Sequence, residues 1–429
     1  MSKLQDLIQK LCSDGVEYKK ISECFDVYNG MTGVSLKWKE AGNCKFIDYL
    51  NTYQNLKIDV SKKPFATVKN LNQNTVHQTD ILLTTASEVP EECAISSVVE
   101  DEIEDNVFLD DHLFGLHLKE EYKELVNTTY INYYMKTPAF KRDVKKKVKG
   151  VTRFFVSPAG IASIEIPVPP LEVQEEIVHI LDNFTNLAAE LQAELQAELQ
   201  ARQEQYEYYR NKLLSFNDIN GGGGYASVTW MKMSEIGTFT RGNGLQKKDF
   251  TESGTPCIHY GQIYTYYGTF TSETKSFVSH ETAKKCKKAH KGDLIFATVS
   301  ENIEDVCKCV AWLGNEEICI SGDSLSFCHN QNPKYLAYYF QTTAFSTYKK
   351  TKVTGTKVIR LHQSKLEQFS IPIPPLAEQE RIVSFLDRFD ALTNDLSQGL
   401  PAEIAAVQEQ YEYYRDKLLS FLRNEKLSA

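Results

Sequence analysis

The sequence has no run of apolar residues approaching the roughly 20 that a membrane-spanning helix requires. It contains ten cysteines but no CxxC pair and no histidine at zinc-finger spacing, so neither a disulfide frame nor a zinc site is encoded in recognisable form. The closest pair, Cys307 and Cys309, would share one face of a strand and reads as two buried thiols, with a metal site as the competing reading. Also missing are the GxxxxGK(S/T) phosphate loop, a strand followed by GxGxxG, the GxSxG elbow, the HExxH pair and an (N/D)PP(F/Y) methyl-transfer motif. These absences remove the common routes to nucleotide, hydrolase and methyl-donor chemistry within the chain. A metal-dependent nuclease can be assembled only by force, from Asp111 with Glu121 and Lys123, and EYKE has the charge pairing of an exposed helix.

What is present is an ordinary globular balance, 42% hydrophobic and 24% charged, which excludes general disorder. The 429 residues predict two or three domains. The opening MSKLQDLIQKLCSDG has Asp6 and Lys10 where a signal peptide needs an apolar core, and lacks the glycine for myristoylation. It reads as a short amphipathic helix of a cytoplasmic protein. The formal charge of -9 argues only weakly against a polyanionic partner, because binding depends on where charges lie rather than on their sum.

The chain repeats itself at a register of 205 residues, and such self-similarity dictates architecture before any local pattern does. IPVPPLEVQEEIVHILDNF from Ile166 matches IPIPPLAEQERIVSFLDRF from Ile371, and QEQYEYYRNKLLSF from Gln203 matches QEQYEYYRDKLLSF from Gln408. Across the whole stretch, 166–216 against 371–421, about 31 of 51 positions are identical. The register extends back through Thr137, Lys145, Lys147 and Gly150 to Thr342, Lys350, Lys352 and Gly355. Further upstream, with small slips, VEYKKISE resembles VTWMKMSE and DILLTTASE from Asp80 resembles DLIFATVSE from Asp293. Residues 34 to 76 and 246 to 289 show no mutual similarity. The order is variable domain, helical repeat, variable domain, helical repeat, and NDINGGGGYAS, 217 to 227, has the composition of a flexible linker between the halves.

Each helical repeat opens with a Pro-Pro pair, which suits the turn before a helix. The following 45 or so residues would span roughly 65 to 70 Å as continuous helix. In the first copy Ile177, Leu181, Phe184, Leu187, Leu191, Leu195 and Leu199 form an apolar stripe that needs a partner helix, and the other copy, with Leu392 and Leu396, is the obvious one. Pro401 in GLPAE predicts a second helical segment after a kink at Gly399. The tetrads LQAE LQAE LQAR from Leu191 advance a helix by about 6 Å each while turning it about 400°, so one tetrad changes length and rotates the stripe only about 40°. A plain Ala-, Leu- and Glu-rich helix is the bland reading of the same residues. Tandem domains on either side favour a length-adjusting unit.

Positive charge is concentrated. Lys141, Arg142, Lys145, Lys146, Lys147, Lys149 and Arg153 stand together in the first half, and Lys349, Lys350, Lys352, Lys357 and Arg360 in the second. Either run could be a solvated face; duplication at matching places points to phosphate contact. Base reading needs side chains that hydrogen-bond to base edges. PCIHYGQIYTYYGTF from Pro256 offers His259, Tyr260, Gln262 and Tyr264 on an irregular strand-like stretch, with a Tyr-rich core strand as the competing reading. The paired turns with Thr85 and Ser87, and with Thr298 and Ser300, either bind DNA or close their loops.

At these residues the chain resembles the specificity subunit of a type I restriction-modification system. The carriers are the two IPxPP segments, the two QEQYEYYR endings, GTKVIR from Gly355 and the tetrads, and the resemblance covers nearly the whole chain. It implies an α+β fold of two mixed α/β target-recognition domains separated by two long antiparallel helical spacer regions with a pseudo-two-fold internal repeat. The corresponding segments are residues 1–165, 166–216, the linker 217–227, 228–370 and 371–429. The resemblance also implies that the chain reads double-stranded DNA at a split asymmetric site and binds no membrane. Two modification (methyltransferase) subunits and restriction/translocase subunits would be its partners. No catalytic or metal residues are implied here; S-adenosylmethionine, ATP and Mg belong on the partner subunits. Two rivals stand beside it, a stand-alone endonuclease and a coiled-coil adaptor without a DNA role.

Overall fold

The computed structural model describes residues 3–38, 41–216, 228–394 and 399–424. The linker 217–227 and Leu396 lie outside the described residues. Two compact units form, residues 1–193 with 405–429 and residues 194–404.

Each unit is organised by a strand buried on both faces. In the first, Ile81–Thr84 lies in an antiparallel sheet ordered Phe25–Asn29, Leu113–Leu118, Ile81–Thr84, Ser96–Val98. Alternation along the strand sends Ile81 and Leu83 into the main core and Leu82 into a second cluster with Ile47, Val107 and Leu109. The second unit repeats this division. Leu294 and Phe296 of Leu294–Ala297 enter its main core, while Ile295 and Ala297 join Ile258 and Val310. Cys309 opens the neighbouring strand Cys309–Trp312, but Cys307 precedes it with φ of 60°, so the two thiols do not share a strand face as the C-x-C spacing suggested. Both are buried, and burial pushes the Cys307 thiol up to about 12.

The mutually dissimilar segments contribute to a second sheet and a short helix in each unit. In the first unit the sheet runs Val34–Trp38, Phe65–Val68, Cys44–Ile47, Val107–Leu109, with the helix Tyr49–Gln54. In the second, Thr255–Ile258 belongs to a five-stranded sheet and is followed by the helix Tyr260–Thr265. The expected strand-like stretch from Pro256 therefore ends after Ile258. A reciprocal cap turns it: the Gly261 N–H donates to His259 Nδ1 at 3.2 Å, and the His259 N–H donates to Gln262 Oε1 at 2.9 Å.

Glu165–Val168 pairs antiparallel with Glu17–Lys20, and Ser370–Ile373 pairs in the same way with Thr229–Lys232. The Pro-Pro pairs end these strands, and helices start at Leu171 and Leu376. The first arm is one helix of 45 residues, Leu171–Ser215; the second is two, Leu376–Asn394 and Leu400–Leu418, with Pro401 in the first turn of the latter.

In the first unit the early part of the long helix packs antiparallel on the last helix. Phe184 meets Tyr414 at 6.0 Å between ring centroids, the Thr185 and Tyr411 hydroxyls are 3.0 Å apart, and Gln192 Nε2 donates to Gln408 Oε1 at 3.3 Å. In the second unit Tyr209 meets Phe389 at 6.0 Å, the same pair one repeat on. The leucine stripe does not supply all of this seam. Leu199 is buried and Leu195 half-buried, but Leu187, Leu191 and Leu392 are exposed. Four-residue steps rotate the stripe by about 40° each, so leucines spaced this way cannot all face one partner.

Gln174 and Gln379, completely buried, tie each arm to its domain. Gln174 donates to the Leu125 and Pro169 carbonyls at 2.8 and 2.6 Å and accepts the Asn127 N–H at 2.9 Å. Gln379 donates to the Gln331 side chain and the Pro374 carbonyl, both at 2.8 Å, and accepts the Asn332 N–H at 2.9 Å. Replacing either glutamine by Ala strands a backbone N–H and carbonyls in the core. Each substitution should lower stability by about 1–3 kcal/mol in chemical denaturation, and a change within error would show that water replaces the amide.

Candidate nucleic-acid interface

The buried strand of each unit leads into a short polar strand, and the structure pairs that strand with the basic segment. In the first unit Ala86–Ser87 pairs with Phe154–Phe155, which pairs in turn with Lys149–Gly150. Gly150 has φ of 121°, and a Cβ there would lie 2.1 Å from the Arg153 carbonyl oxygen, so the turn demands glycine. In the second unit Val299–Ser300 pairs with Ile359–Arg360, and Thr354 bridges back to Arg360. Gly355, at φ of 99°, would place a Cβ 2.0 Å from the Val358 carbonyl oxygen. Each unit thus exposes a hairpin that joins a serine to basic residues, Ser87 with Lys149 and Arg153, Ser300 with Lys357 and Arg360. Val151 at the first tip is 88% exposed.

The remaining cations lie on and just beyond the helices that precede these hairpins. Thr137 caps Pro138–Lys145 and Thr342 caps Thr343–Lys350, each hydroxyl accepting the N–H three residues on. Cations at the far ends suit the negative pole of the helix dipole. Lys141, Arg142, Lys145, Lys146, Lys147, Lys149 and Arg153 all reach solvent. Lys145 pairs with Glu91 at 2.9 Å and Lys146 with Asp143 at 2.7 Å. Lys350, Lys352, Lys357 and Arg360 are exposed as well, with Arg360 paired to Asp323 at 3.1 Å. Arg360 also lines a recess of about 270 Å³ with Arg241, Thr298, His362 and Gln363.

Lys349 departs from its neighbours. It is buried, its Nζ donates to the Glu304 and Val306 carbonyls at 2.6 and 3.1 Å, and burial holds its pKa below the ordinary lysine value. Nothing in the KKTK run distinguishes it from the solvated lysines beside it.

Of the base-reading candidates, Ser87 and Ser300 lie in the hairpin sheets, half-buried; Ser87 Oγ donates to Glu92 Oε2 at 2.9 Å, and Ser300 Oγ accepts the Asn302 N–H at 3.4 Å. Thr85 Oγ1 donates to the His112 carbonyl at 2.7 Å. His259 and Gln262 are buried, with Gln262 Nε2 donating to Ser276 Oγ at 2.7 Å. The Tyr260 N–H donates to Ser321 Oγ, and the Tyr264 hydroxyl donates to the Ala297 and Val299 carbonyls at 2.9 and 2.6 Å. No motif pointed to Tyr49, whose hydroxyl donates to the Ala86 carbonyl at 3.4 Å, much as Tyr264 does in the second unit. Among the described residues, Asp110, Asp111 and His112 alone form a group of three potential metal ligands, and Glu121 and Lys123 are not in it.

Just before the buried strand of the first unit, Asp80 is completely buried and accepts the Tyr28 hydroxyl at 2.5 Å, the His77 N–H at 2.9 Å and, at 2.7 Å, His117 Nδ1. Asp293 accepts the His290 N–H at 2.9 Å in the equivalent turn.

Doubled α+β domains, each exposing a basic hairpin and each continued by a helical arm, define a two-domain DNA-reading scaffold. The type I restriction modification DNA specificity domain matches residues 13–201 and again 225–406, and the chain belongs to that family. It is 32% identical over 317 residues to a putative type I restriction enzyme specificity subunit of Haemophilus influenzae, covering 70% of this chain and 74% of that one. It is equally 32% identical over 305 residues to a type I restriction enzyme specificity subunit of Escherichia coli, covering 70% and 72%. Among solved structures, one described for complex assembly and conformational transition of the type I R-M system superposes with a TM-score of 0.68 at 15% identity, over 94% of this chain and 97% of that one. The HsdS subunit from Thermoanaerobacter tengcongensis gives 0.52 at 14% identity, over 95% and 96%.

The hydrogen bond to Asp80 holds the His117 pKa above its ordinary value, against partial desolvation and with help from the charges of Asp80 and Asp26. A raised folded-state pKa stabilises fully below the unfolded value near 6.5 and is lost as pH rises through the folded value. Stability measured from pH 5.5 to 8.5 should therefore fall across this window, and His117→Asn should flatten that part of the profile. An identical profile for the variant would assign the dependence elsewhere.

Proposed function

We propose that this chain reads a split, asymmetric site in double-stranded DNA, one half through each unit, and performs no catalysis itself. The observation that carries the reading is the hairpin found twice, in which a hydroxyl strand and a basic segment distant in sequence become one exposed element. Lys141, Arg142, Lys145, Lys146, Lys147, Lys149, Arg153, Lys350, Lys352, Lys357 and Arg360 are its phosphate contacts; Lys349 serves the fold instead.

Two modification subunits and the restriction/translocase subunits are the partners, with S-adenosylmethionine, ATP and Mg on those chains, in the cytoplasm. A duplicated surface supports two copies of one partner. Tyr208 and Tyr413 are each 61% exposed, their neighbours Tyr209 and Tyr414 stand at the same 5.3 Å ring separation, and Lys212 and Lys417 lie 5.9 Å over the outer rings. Exposed tyrosines of this kind are favoured interface anchors.

Replacing Lys145, Lys146, Lys147, Lys350 and Lys352 together by Ala should weaken DNA binding and make it less sensitive to salt, the logarithmic slope falling by about 0.9 for each phosphate no longer neutralised. Unchanged affinity and slope would favour a coiled-coil adaptor. Deleting Leu195 to Glu198 removes one tetrad, about 6 Å of helix, and should change the unread gap by roughly one to two base pairs while leaving both half-sequences unaltered. Selected sites with the original gap would refute the spacer role.

A further inference from the structure

Glu92 and Asp305 occupy the same position of the two repeats. Two residues later Ala94 and Cys307 both adopt positive φ, 58° and 60°, and donate their N–H groups to the matching carbonyls of Thr84 and Ala297 at 3.1 and 2.8 Å. The next residue differs in character, Ile95 in the first unit and Lys308 in the second. Lys308 neutralises Asp305 at 2.5 Å, and the Asn302 amide donates to the same carboxylate at 2.7 Å. Glu92 receives no such partner. Lys145 is taken by Glu91, and among the described residues no cation stands within 4.0 Å of Glu92.

A neutral hydroxyl holds Glu92 instead. Ser87 Oγ donates to it at 2.9 Å, and the charge of the carboxylate raises the Tyr53 phenol pKa. Tyr53 is itself steadied by Tyr49, stacked at 5.7 Å with an 18° interplanar angle and bonded to the Ala86 carbonyl. The bond from Ser87, whose strand pairs with Phe154–Phe155, sets the carboxylate beside the basic hairpin. A carboxylate without a counterion, half-exposed on a face suited to phosphates, is repelled by nucleic acid unless a base gives it a hydrogen bond.

We propose that Glu92 determines specificity in the first half-site by accepting a hydrogen bond from an exocyclic base amine in the major groove, foremost cytosine N4, with the Ser87 hydroxyl orienting it. Guanine O6 and thymine O4 would face it with an acceptor and be rejected. Asp305, already neutralised, has no such role, so the two units read their half-sites by different chemistry. This inference rests on the DNA-reading function proposed above.

The test uses the full chain assembled with its modification subunits, with the target sequence obtained from a randomised DNA pool. Glu92→Gln should reduce the discrimination between amine and carbonyl bases at one position of the first half-site by roughly tenfold or more, leaving the second half-site and the gap unchanged. Ile95→Lys, which gives Glu92 the counterion that Asp305 has, should relax the same position with the carboxylate intact. Thermal melts identify any variant that fails to fold, and Ser87→Ala, which removes the hydroxyl that orients the carboxylate, then replaces it with the same expected relaxation. An unchanged target in folded variants, or a weakening spread evenly over all positions, overturns the role of Glu92 while the DNA reading stands. A wild-type complex that selects no bipartite sequence overturns the DNA reading itself.

Discussion

Two buried amides decide where the long helices leave their domains. Gln174 and Gln379 each bond the carbonyl of the first proline in a Pro-Pro turn and the N–H of the asparagine that caps the domain's tyrosine-rich helix, Thr128–Met135 or Pro333–Tyr339. The same helices bond the arms a second time, through Tyr133 to Asp182 and Tyr338 to Asp387, both at 2.7 Å. Proline supplies no N–H of its own, so the glutamine amide supplies the donor that the buried turn carbonyl needs, and its oxygen takes the N–H of the capping asparagine. With strand, turn and helix fixed in this way, the direction of each arm follows from the domain before it.

On that repeated frame, charge is distributed locally. The arms carry many of the glutamates, while each hairpin and the helix before it carry a run of exposed lysines and arginines. The net charge of -9 therefore sums regions with opposite preferences, and the polyanion meets mainly the basic ones. The hairpins share a glycine turn and a serine strand but differ in their ionic surroundings. Arg360 is held by Asp323, whereas Ser87 of the first hairpin sheet bonds Glu92, a carboxylate with no cation beside it among the described residues. A common scaffold with different local chemistry is suited to reading two unlike half-sequences.

Much of this architecture was legible in the sequence because repetition is independent of local propensity. The two arms followed from it, and the helix starts after Pro-Pro and the break before Pro401 followed from proline itself. The pairing of Ser87 with Phe154 was not legible, since a contact across 67 positions leaves no mark in a single chain. The Tyr-rich stretch misled for a related reason. Tyr, Ile and Thr favour strands, yet two hydrogen bonds between His259, Gly261 and Gln262 turn the chain into a helix. Lys349 resembles Lys350 in every local respect and differs only through the carbonyls that surround it after folding. The leucine stripe showed that a helix wanted covering without showing which leucines would be covered.

Most of the last helix, from Ala405 onward, belongs to the first unit, and this has a consequence for the order of events as the chain is made. Leu419 lies in the first core, and beyond it the Val16 N–H donates to the Leu422 carbonyl while the Asn424 N–H donates to the Val16 carbonyl, both at 2.9 Å. Domains generally fold as units from the N-terminus during synthesis. Here the unit that begins first waits through the making of the whole second unit, with the seat of Leu419 uncovered, before the ribosome delivers the segment that closes it.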